Sequence, residues 1–184
     1  MKWKKKGLIY TSTGDLPWAK THAMIPTPDL ISDQIIRLYI TCCDENGMGR
    51  VGYIDVDANT PSKIIKISEK PVLDIGIPGT FDENGVLQCS ILTMPNGQKY
   101  LYYVGFELGQ KIRYRLLTGL AISTDGGNTF TRVKKTPVLE RSDKELYFRC
   151  GPFVILDNNI FKLWYVAGSE WTSLEGKEMP IYDI

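Results

Sequence analysis

The residues best suited to chemistry are acids that follow aromatic segments of the chain. Glu107 and Glu170 each follow such a segment, and Asp44 or Glu45 takes the equivalent place after the first one. Cleavage of a glycosidic bond needs two facing carboxyl groups, one to protonate the leaving oxygen and one to act as nucleophile or to activate water. Equivalent positions predict that these acids share one face of the molecule. The alternative for each is a solvated loop acid.

Asp82 is the first candidate for such a catalytic carboxylate. It lies in a turn-forming, glycine-containing stretch, and an apolar segment follows at Val86. A turn at this place can aim a short acidic side chain at the ends of neighbouring strands. The alternative is an Asx turn, in which Asp82 or Asn84 bonds its own backbone.

Five further residues are candidates for substrate binding. His22 is the single histidine of the chain, and imidazole suits proton transfer near neutral pH or a hydrogen bond to a hydroxyl group. Arg115 and Arg149 carry guanidinium groups that can bind a carboxylate or phosphate in two-point geometry, or form salt bridges with neighbouring acids. Trp171 could stack on a sugar ring, and Asp44 is the fifth candidate for substrate binding. No metal ligands are predicted, since zinc spacing is absent.

A repeat organises the whole chain. Leu38, Leu101 and Leu163 occupy matching aromatic, β-branched segments, 63 and then 62 residues apart, and each segment ends near an acid. The second unit reads as four short strands, at about residues 86–93, 99–106, 118–123 and 131–139. Four strands that recur at this period are typical of a β-propeller blade. The predicted fold class is therefore all-β.

The repeat length predicts about two full blades and a partial third. The approximate units are residues 22–74, 80–139 and 147–184 of one propeller region, 1–184. Closed propellers have four to eight blades, so we expect the chain to be an N-terminal portion of a longer protein. Domain-swapped or oligomeric closure and an open sheet stack are the alternatives. Open blade edges predict possible self-association.

Several segments together resemble a known superfamily. These are Trp18-Ala19-Lys20-Thr21-His22-Ala23-Met24-Ile25-Pro26, the stretch from Gly79 to Val86, the Gly119-Leu120-Ala121-x-Ser123-x-Asp125-Gly126-Gly127 element, and Leu163-Trp164-Tyr165-Val166-Ala167-Gly168. They are similar to the five-bladed β-propeller glycoside hydrolases of the family 43, 32 and 130 type, and most of all to an uncharacterised, glycosidase-like bacterial branch. The first-blade Asp-Pro of characterised members is replaced here by His22-Ala23.

The resemblance implies a carbohydrate-active, glycosidase-like enzyme that acts on a bacterial glycan or sugar conjugate. Its carboxylates would lie in the axial funnel, where Asp82, Glu107 and Glu170 are the catalytic candidates, and no cofactor is implied. The alternative is a propeller that binds carbohydrate or a protein partner without catalysis. If the funnel is unfinished, the isolated chain is expected to be inactive.

Composition narrows the classes of partner. A net charge of +1 over 184 residues argues against a nucleic-acid or membrane-surface protein, which would carry a basic excess. No apolar run approaches the ~20 residues that span a bilayer. Cys42, Cys43, Cys89 and Cys150 form no CxxC pair, so they are expected to be reduced and packed as small apolar residues. A cytoplasmic protein is therefore predicted.

Overall fold

The computed structural model describes residues 2–183, and these form strands and connecting turns without any helix. The all-β prediction is confirmed. The strands are β1 Thr21–Ser32, β2 Ile35–Cys43, β3 Gly49–Asp57, β4 Ile64–Ile67, β5 Val86–Thr93, β6 Lys99–Leu108, β7 Tyr114–Ser123, β8 Thr131–Arg132, β9 Phe148–Asp157, β10 Ile160–Leu174 and β11 Lys177–Asp183. Across residues 2–183, no helix is long and apolar enough to cross a membrane.

The strands group into two four-stranded blades and a three-stranded one, as expected for a partial propeller. Strands β1 to β4 form one antiparallel sheet in chain order. Strands β5 to β8 form the second blade, and β9 to β11 the third. A short parallel contact, in which Leu116 and Leu117 of β7 face Phe148 and Arg149 of β9, joins these two blades into one continuous sheet.

The outer strand of the second blade is shorter than the sequence indicates. A strand over residues 131–139 is expected, but β8 stops after Arg132. Pro137 has no N–H to donate to a ladder, and the chain returns to β7 only where Val138 and Leu139 donate to the Thr118 carbonyl. The outer edge is therefore an interrupted strand rather than a continuous one.

The largest of three buried apolar clusters lies between the first two blades. Tyr39 and Tyr103 are fully buried there, together with Val51, Leu101 and Leu117. The Tyr39 hydroxyl donates to the Gly127 carbonyl at 3.1 Å, which ties the first blade to a turn of the second. Burial of such large apolar and aromatic side chains is the main force that holds neighbouring blades together.

The first strand of each blade lies beside the first strand of the next. Thr27 Oγ1 donates to the Cys89 carbonyl at 3.4 Å, and the Ser90 hydroxyl bonds both the carbonyl and the N–H of Val154, at 3.3 and 3.2 Å. Strands β1, β5 and β9 are therefore the inner strands. Gln88 contacts Ile25 while Cys89 contacts Thr27, so β1 and β5 run in the same direction and begin at the same end.

Candidate functional site

Each inner strand is interrupted by a bulge at an equivalent position. The pairing register shifts between Met24 and Thr27 in β1 and between Gln88 and Ser90 in β5. In β9 the register shifts between Cys150 and Phe153, an interval that contains Gly151. Bulges re-aim side chains and are frequent beside active sites. The repeat therefore builds three irregular strands around one end of the axis.

The backbone of β1 is strained at this end. His22 has φ 63° and Ile25 has φ 51°, and Gly151, two repeats after Ile25, has φ 60°. A β-branched residue such as isoleucine rarely adopts positive φ, and such strain costs about 1–3 kcal/mol. Strain of this kind persists only where the surroundings enforce it, and it concentrates at functional sites.

Gln88 is the group that holds the strained segment. Its side chain is fully buried, and its Nε2 donates to the Ile25 carbonyl, to the Met24 carbonyl at 3.2 Å and to the Tyr39 carbonyl at 3.0 Å. Its Oε1 accepts from the Thr41 hydroxyl. The sequence analysis missed Gln88, although a polar residue inside the apolar stretch from Val86 to Leu92 was a signal.

His22 lies on the surface at the beginning of β1. Its side chain is exposed, and its Nδ1 lies 2.9 Å from the Thr21 hydroxyl oxygen. The Gln88 contacts are three residues further along the same strand. The His22 imidazole is exposed, and the buried Gln88 side chain fixes the backbone three residues away. The imidazole can therefore bind a ligand without prior rearrangement.

The Asp82 carboxylate is enclosed rather than open to solvent. Its exposed fraction is 0%, and its Oδ2 accepts from Arg132 Nε at 2.7 Å and from the Tyr103 hydroxyl at 2.9 Å. Burial raises the pKa of the Tyr103 hydroxyl, and the Asp82 charge adds to that effect. Oδ1 is buried without a hydrogen-bond partner among residues 2–183, beneath Gly76, where a Cβ would lie 2.1 Å from it. Substrate reaches this carboxylate only if the covering loop opens.

The acids at the ends of the second strands behave alike in the first two blades: Asp44 follows β2, and Glu107 is the penultimate residue of β6. Asp44 forms a salt bridge with Arg50, and Glu107 pairs with Arg115 at 3.6 Å. In both cases the arginine lies early in the next strand of the same hairpin. For Asp44, burial raises the pKa, but hydrogen bonds from Met48 N–H and Arg50 outweigh burial and leave the pKa lowered. These acids therefore brace their hairpins.

The third blade differs from this pattern. Glu170 lies 63 residues after Glu107, but it is exposed, and no salt bridge to it occurs among residues 2–183. It is thus the freest of the three predicted catalytic carboxylates. Trp171 instead packs in an aromatic cluster with Tyr114 and Phe148, with ring centroids 5.5 and 5.7 Å away. A sugar would reach only the part of that ring which the cluster leaves uncovered.

Arg149 belongs to a separate cluster around Glu145. Its Nε bonds the Glu145 carboxylate, and the Tyr165 hydroxyl donates to the same carboxylate at 3.1 Å. The hydrogen bond from Arg149 is the main cause that lowers the pKa of Glu145. Glu145 lies 63 residues after Asp82, a spacing that could have singled it out. It lines a cavity of about 360 Å³ together with Trp164 and Asp183.

Trp164 itself is 50% exposed, whereas Tyr102, at the same repeat position in the second blade, is buried. The equivalent of Trp164 in the first blade is Tyr39, which is covered by the second blade. No further blade covers Trp164 within the described chain. An exposed aromatic ring beside two carboxylates is a surface on which a sugar can stack.

The predicted residues thus fall into several local clusters. Glu107 and Arg115 are in contact, while Asp82, Arg149 and Asp44 each have partners of their own. The placement of Asp82, Glu107 and Glu170 in one axial funnel stays a prediction. Among residues 2–183 there is no group of three or more His, Cys, Asp or Glu side chains arranged to hold a metal ion.

Sequence comparison connects the chain to bacterial relatives. It is 32% identical over 171 residues to "Uncharacterized protein MT1551" and to "Uncharacterized protein Rv1502", both of Mycobacterium tuberculosis. The match covers 93% of this chain and 56% of each relative, so the chain spans little more than half the length of these relatives. No family model matches the sequence.

Solved structures match the fold at low sequence identity. A levansucrase of B. megaterium has a TM-score of 0.62 and 11% identity, over 91% of this chain and 47% of its own. A thermostable family-43 glycoside hydrolase has a TM-score of 0.57 and 17% identity, over 83% of this chain and 47% of its own. The family-43 enzyme of Xanthomonas citri in complex with xylotriose has a TM-score of 0.53 and 18% identity, over 82% and 50%. The described chain therefore has part of the fold of the five-bladed β-propeller glycoside hydrolases.

Proposed function

We propose that the chain belongs to a carbohydrate-active, glycosidase-like enzyme that acts on a glycan or sugar conjugate. The observation that carries this proposal is the shared fold, in which several solved glycoside hydrolases match most of the chain. One of these matched enzymes was solved with xylotriose. Fold alone does not determine activity. The proposal therefore also requires that a sugar binds at the end of the molecule where the inner strands β1 and β5 begin.

The local geometry supports a binding surface at that end. Three bulged inner strands begin there, and His22 is exposed on a backbone segment fixed by Gln88. Exposed hydrogen-bonding groups on a rigid frame orient a sugar at small entropic cost. His22 and Asp44 are proposed to bind substrate hydroxyl groups, with Arg115, Arg149 and Trp171 at the rim.

The proposed chemistry assigns different tasks to the acids. Glu170, the exposed carboxylate, is available to exchange a proton with the leaving oxygen or with water. Glu107 lies beside Arg115 and is assigned the role of nucleophile or general base. Asp82 takes part only when its covering loop opens. A propeller that binds carbohydrate without catalysis is the alternative outcome.

A glycan array of the full-length protein, followed by hydrolysis assays on the retained glycans, tests the proposal. We expect binding of defined glycans and their cleavage, and we expect Glu170→Gln, Glu107→Gln and Asp82→Asn to lower turnover by at least about a hundredfold while binding persists. Asp157→Asn is the matched control, because that exposed carboxylate lies in the β9–β10 hairpin and pairs with Lys162. Binding without cleavage supports the non-catalytic alternative, and no binding at all contradicts the carbohydrate function.

A further inference from the structure

A small cavity lies where the β6–β7 hairpin meets the segment before β9. Its volume is about 300 Å³, and Arg115, Arg141, Ser142 and Tyr147 line it, with Asp143 also in its wall. The side chains of Arg115 and Arg141 are 30% and 38% exposed. Two arginines and two residues that carry hydroxyl groups therefore line one concave space that solvent can enter.

Glu107 keeps the two arginines side by side. Its Oε2 lies 3.6 Å from Arg115 Nη1 and 3.7 Å from Arg141 Nη1. That oxygen is buried and accepts no hydrogen bond among residues 2–183. The Glu107 carboxylate thus offsets the repulsion between the two guanidinium groups. At these distances it forms no hydrogen bond with either of them, so the N–H groups of both arginines stay available.

The donors of these two arginines are left free, whereas three other arginines of the chain have theirs occupied. Arg37, Arg132 and Arg149 each donate to a carboxylate and to a backbone carbonyl. Arg141 donates only to Glu140, at 3.3 Å, and the Arg115 side chain donates to no protein acceptor in the part of the chain that the structure describes. A guanidinium pair with unused donors in a cavity is suited to a planar or tetrahedral oxyanion.

We propose that this cavity binds a phosphate or carboxylate group on the sugar, so that the substrate is an anionic glycan. The proposal rests on the proposed carbohydrate function and adds the charge class of the substrate. Arg115 and Arg141 supply two-point hydrogen bonds, and the hydroxyl groups of Ser142 and Tyr147 complete the donor set around the oxyanion. Neutral sugars gain none of these charge-assisted bonds.

Asp143 makes the proposal testable in both directions. Its side chain is exposed in the cavity wall, and its negative charge opposes a bound anion. Removal of that charge should therefore tighten the binding of an anion, whereas removal of an arginine should weaken it. Arg113 is a matched control. It is an exposed arginine two residues before Arg115, and it does not line the cavity.

The test is a calorimetric titration of the protein with glucose 6-phosphate, glucuronate, glucose and inorganic phosphate at low salt. We expect at least one charged sugar to bind at least about tenfold more tightly than glucose, the effect of one charge-assisted interaction. The tighter of the two identifies phosphate or carboxylate as the group recognised. Equal affinity for glucose and both charged sugars overturns the proposal.

Variants separate this site from diffuse charge and from the proposed function. Arg141→Gln should weaken the charged sugar about tenfold, Asp143→Asn should strengthen it, and Arg113→Gln should change it less than about twofold. Equal losses in Arg113→Gln and Arg141→Gln overturn the site. Binding of inorganic phosphate that depends on Arg141, with no sugar bound, supports the anion site and contradicts the carbohydrate function. Cleavage of neutral glycans without anion binding supports the carbohydrate function and contradicts the anion site.

Discussion

The Gln88 side chain holds a segment of the first blade in place. Gln88 uses two amide protons and one carbonyl oxygen on four partners, all of them in the first blade. Its amide bonds the Ile25 carbonyl, which also accepts a weak bond from the Thr27 hydroxyl at 3.3 Å. Loss of this amide removes the support for the positive-φ segment that begins at His22.

The first prediction concerns Gln88→Leu. This variant should lower the free energy of unfolding by about 2–4 kcal/mol, since buried carbonyls and the Thr41 hydroxyl lose their partner. Urea denaturation measures the loss. Gln34→Leu, at an exposed glutamine, should change stability by less than about 0.5 kcal/mol, and equal effects in the two variants would show that Gln88 is not a brace.

The second prediction concerns the turn after β7. Burial raises the pKa of Asp125, but hydrogen bonds from Ser123, Thr129 and Asn128 outweigh burial and lower the pKa to about 2, against an ordinary value of 3.8. A lowered folded-state pKa stabilises the fold above pH 4 and loses that contribution as the pH falls towards 2. Because Asp125 is exposed, solvent screening reduces the effect to about 1 kcal/mol.

Denaturation of Asp125→Asn at two pH values checks this account. The variant should be about 1 kcal/mol less stable than the natural chain at pH 7. At pH 2 the difference should fall to about a fifth or less of its value at pH 7, because the carboxylate is then protonated in the unfolded chain and largely so in the folded one. A stability difference that is the same at both pH values would mean that the charge of Asp125 has no part in it.

At the scale of strands, the sequence predicted the regular elements well. The strand over residues 86–93 matches β5 at both ends, and the spacing of Leu38, Leu101 and Leu163 places them in β2, β6 and β10. Apolar alternation and turn residues are local signals, and they were sufficient here. The bulges and the enclosure of Asp82 depend on contacts between distant residues, which no local pattern contains, whereas Pro137 was a local signal for the interrupted outer strand.

The candidate site was predictable only in part for the same reason. Acids at repeated positions such as Glu107 and Glu170 could be found from the period of the repeat. Their partners could not, because Arg141 approaches Glu107 from a different segment and Asp82 meets Arg132 from 50 residues away. Gln88 had a signal in its own strand, but the carbonyls that it binds were not visible in the sequence.

The third prediction tests how the first blade is fastened to the second. Arg37 bonds Asp55 through two N–H groups, at 2.7 and 2.9 Å, and donates to the Gly127 carbonyl at 3.1 Å. Arg37→Leu should lower the free energy of unfolding by about 3–5 kcal/mol, since it leaves a buried carboxylate unpaired. Urea denaturation is again the measurement.

The double variant Arg37→Leu/Asp55→Leu separates desolvation from attraction. It should be more stable than Arg37→Leu alone, because no charge is left buried without a partner. Lys63→Leu is the control, since Lys63 and Asp57 form an exposed pair at 3.7 Å that contributes less than about 1 kcal/mol. A double variant less stable than the single one would contradict this account of the pair.

At the scale of the whole molecule, the third blade leaves an apolar face uncovered. Phe153 and Trp164 are 59% and 50% exposed, with ring centroids 6.1 Å apart. Phe153 occupies the repeat position of Ser90, which bonds the next inner strand at Val154. In the first two blades this position faces a neighbouring blade, so the same face of the third blade is shaped to receive another sheet.

The fourth prediction is that the isolated chain self-associates through this face. Exposed contiguous aromatic surface favours association, so sedimentation equilibrium should show dimers or larger species. Trp164→Ser should weaken association about tenfold, the loss expected for one large apolar contact. Trp3→Ser, at a tryptophan that is 92% exposed outside the blades, should have little effect. A chain that is monomeric at every concentration would contradict the prediction.

One titration tests the central claim that a sugar binds where the inner strands begin. His22 is the only histidine, so its imidazole gives a single pair of proton NMR signals that need no assignment. Addition of a glycan retained on the array should shift these signals in a saturable way, and the Gln88→Leu variant should weaken that response. A glycan that binds with full affinity while the His22 signals stay unchanged would place the sugar elsewhere and contradict the account.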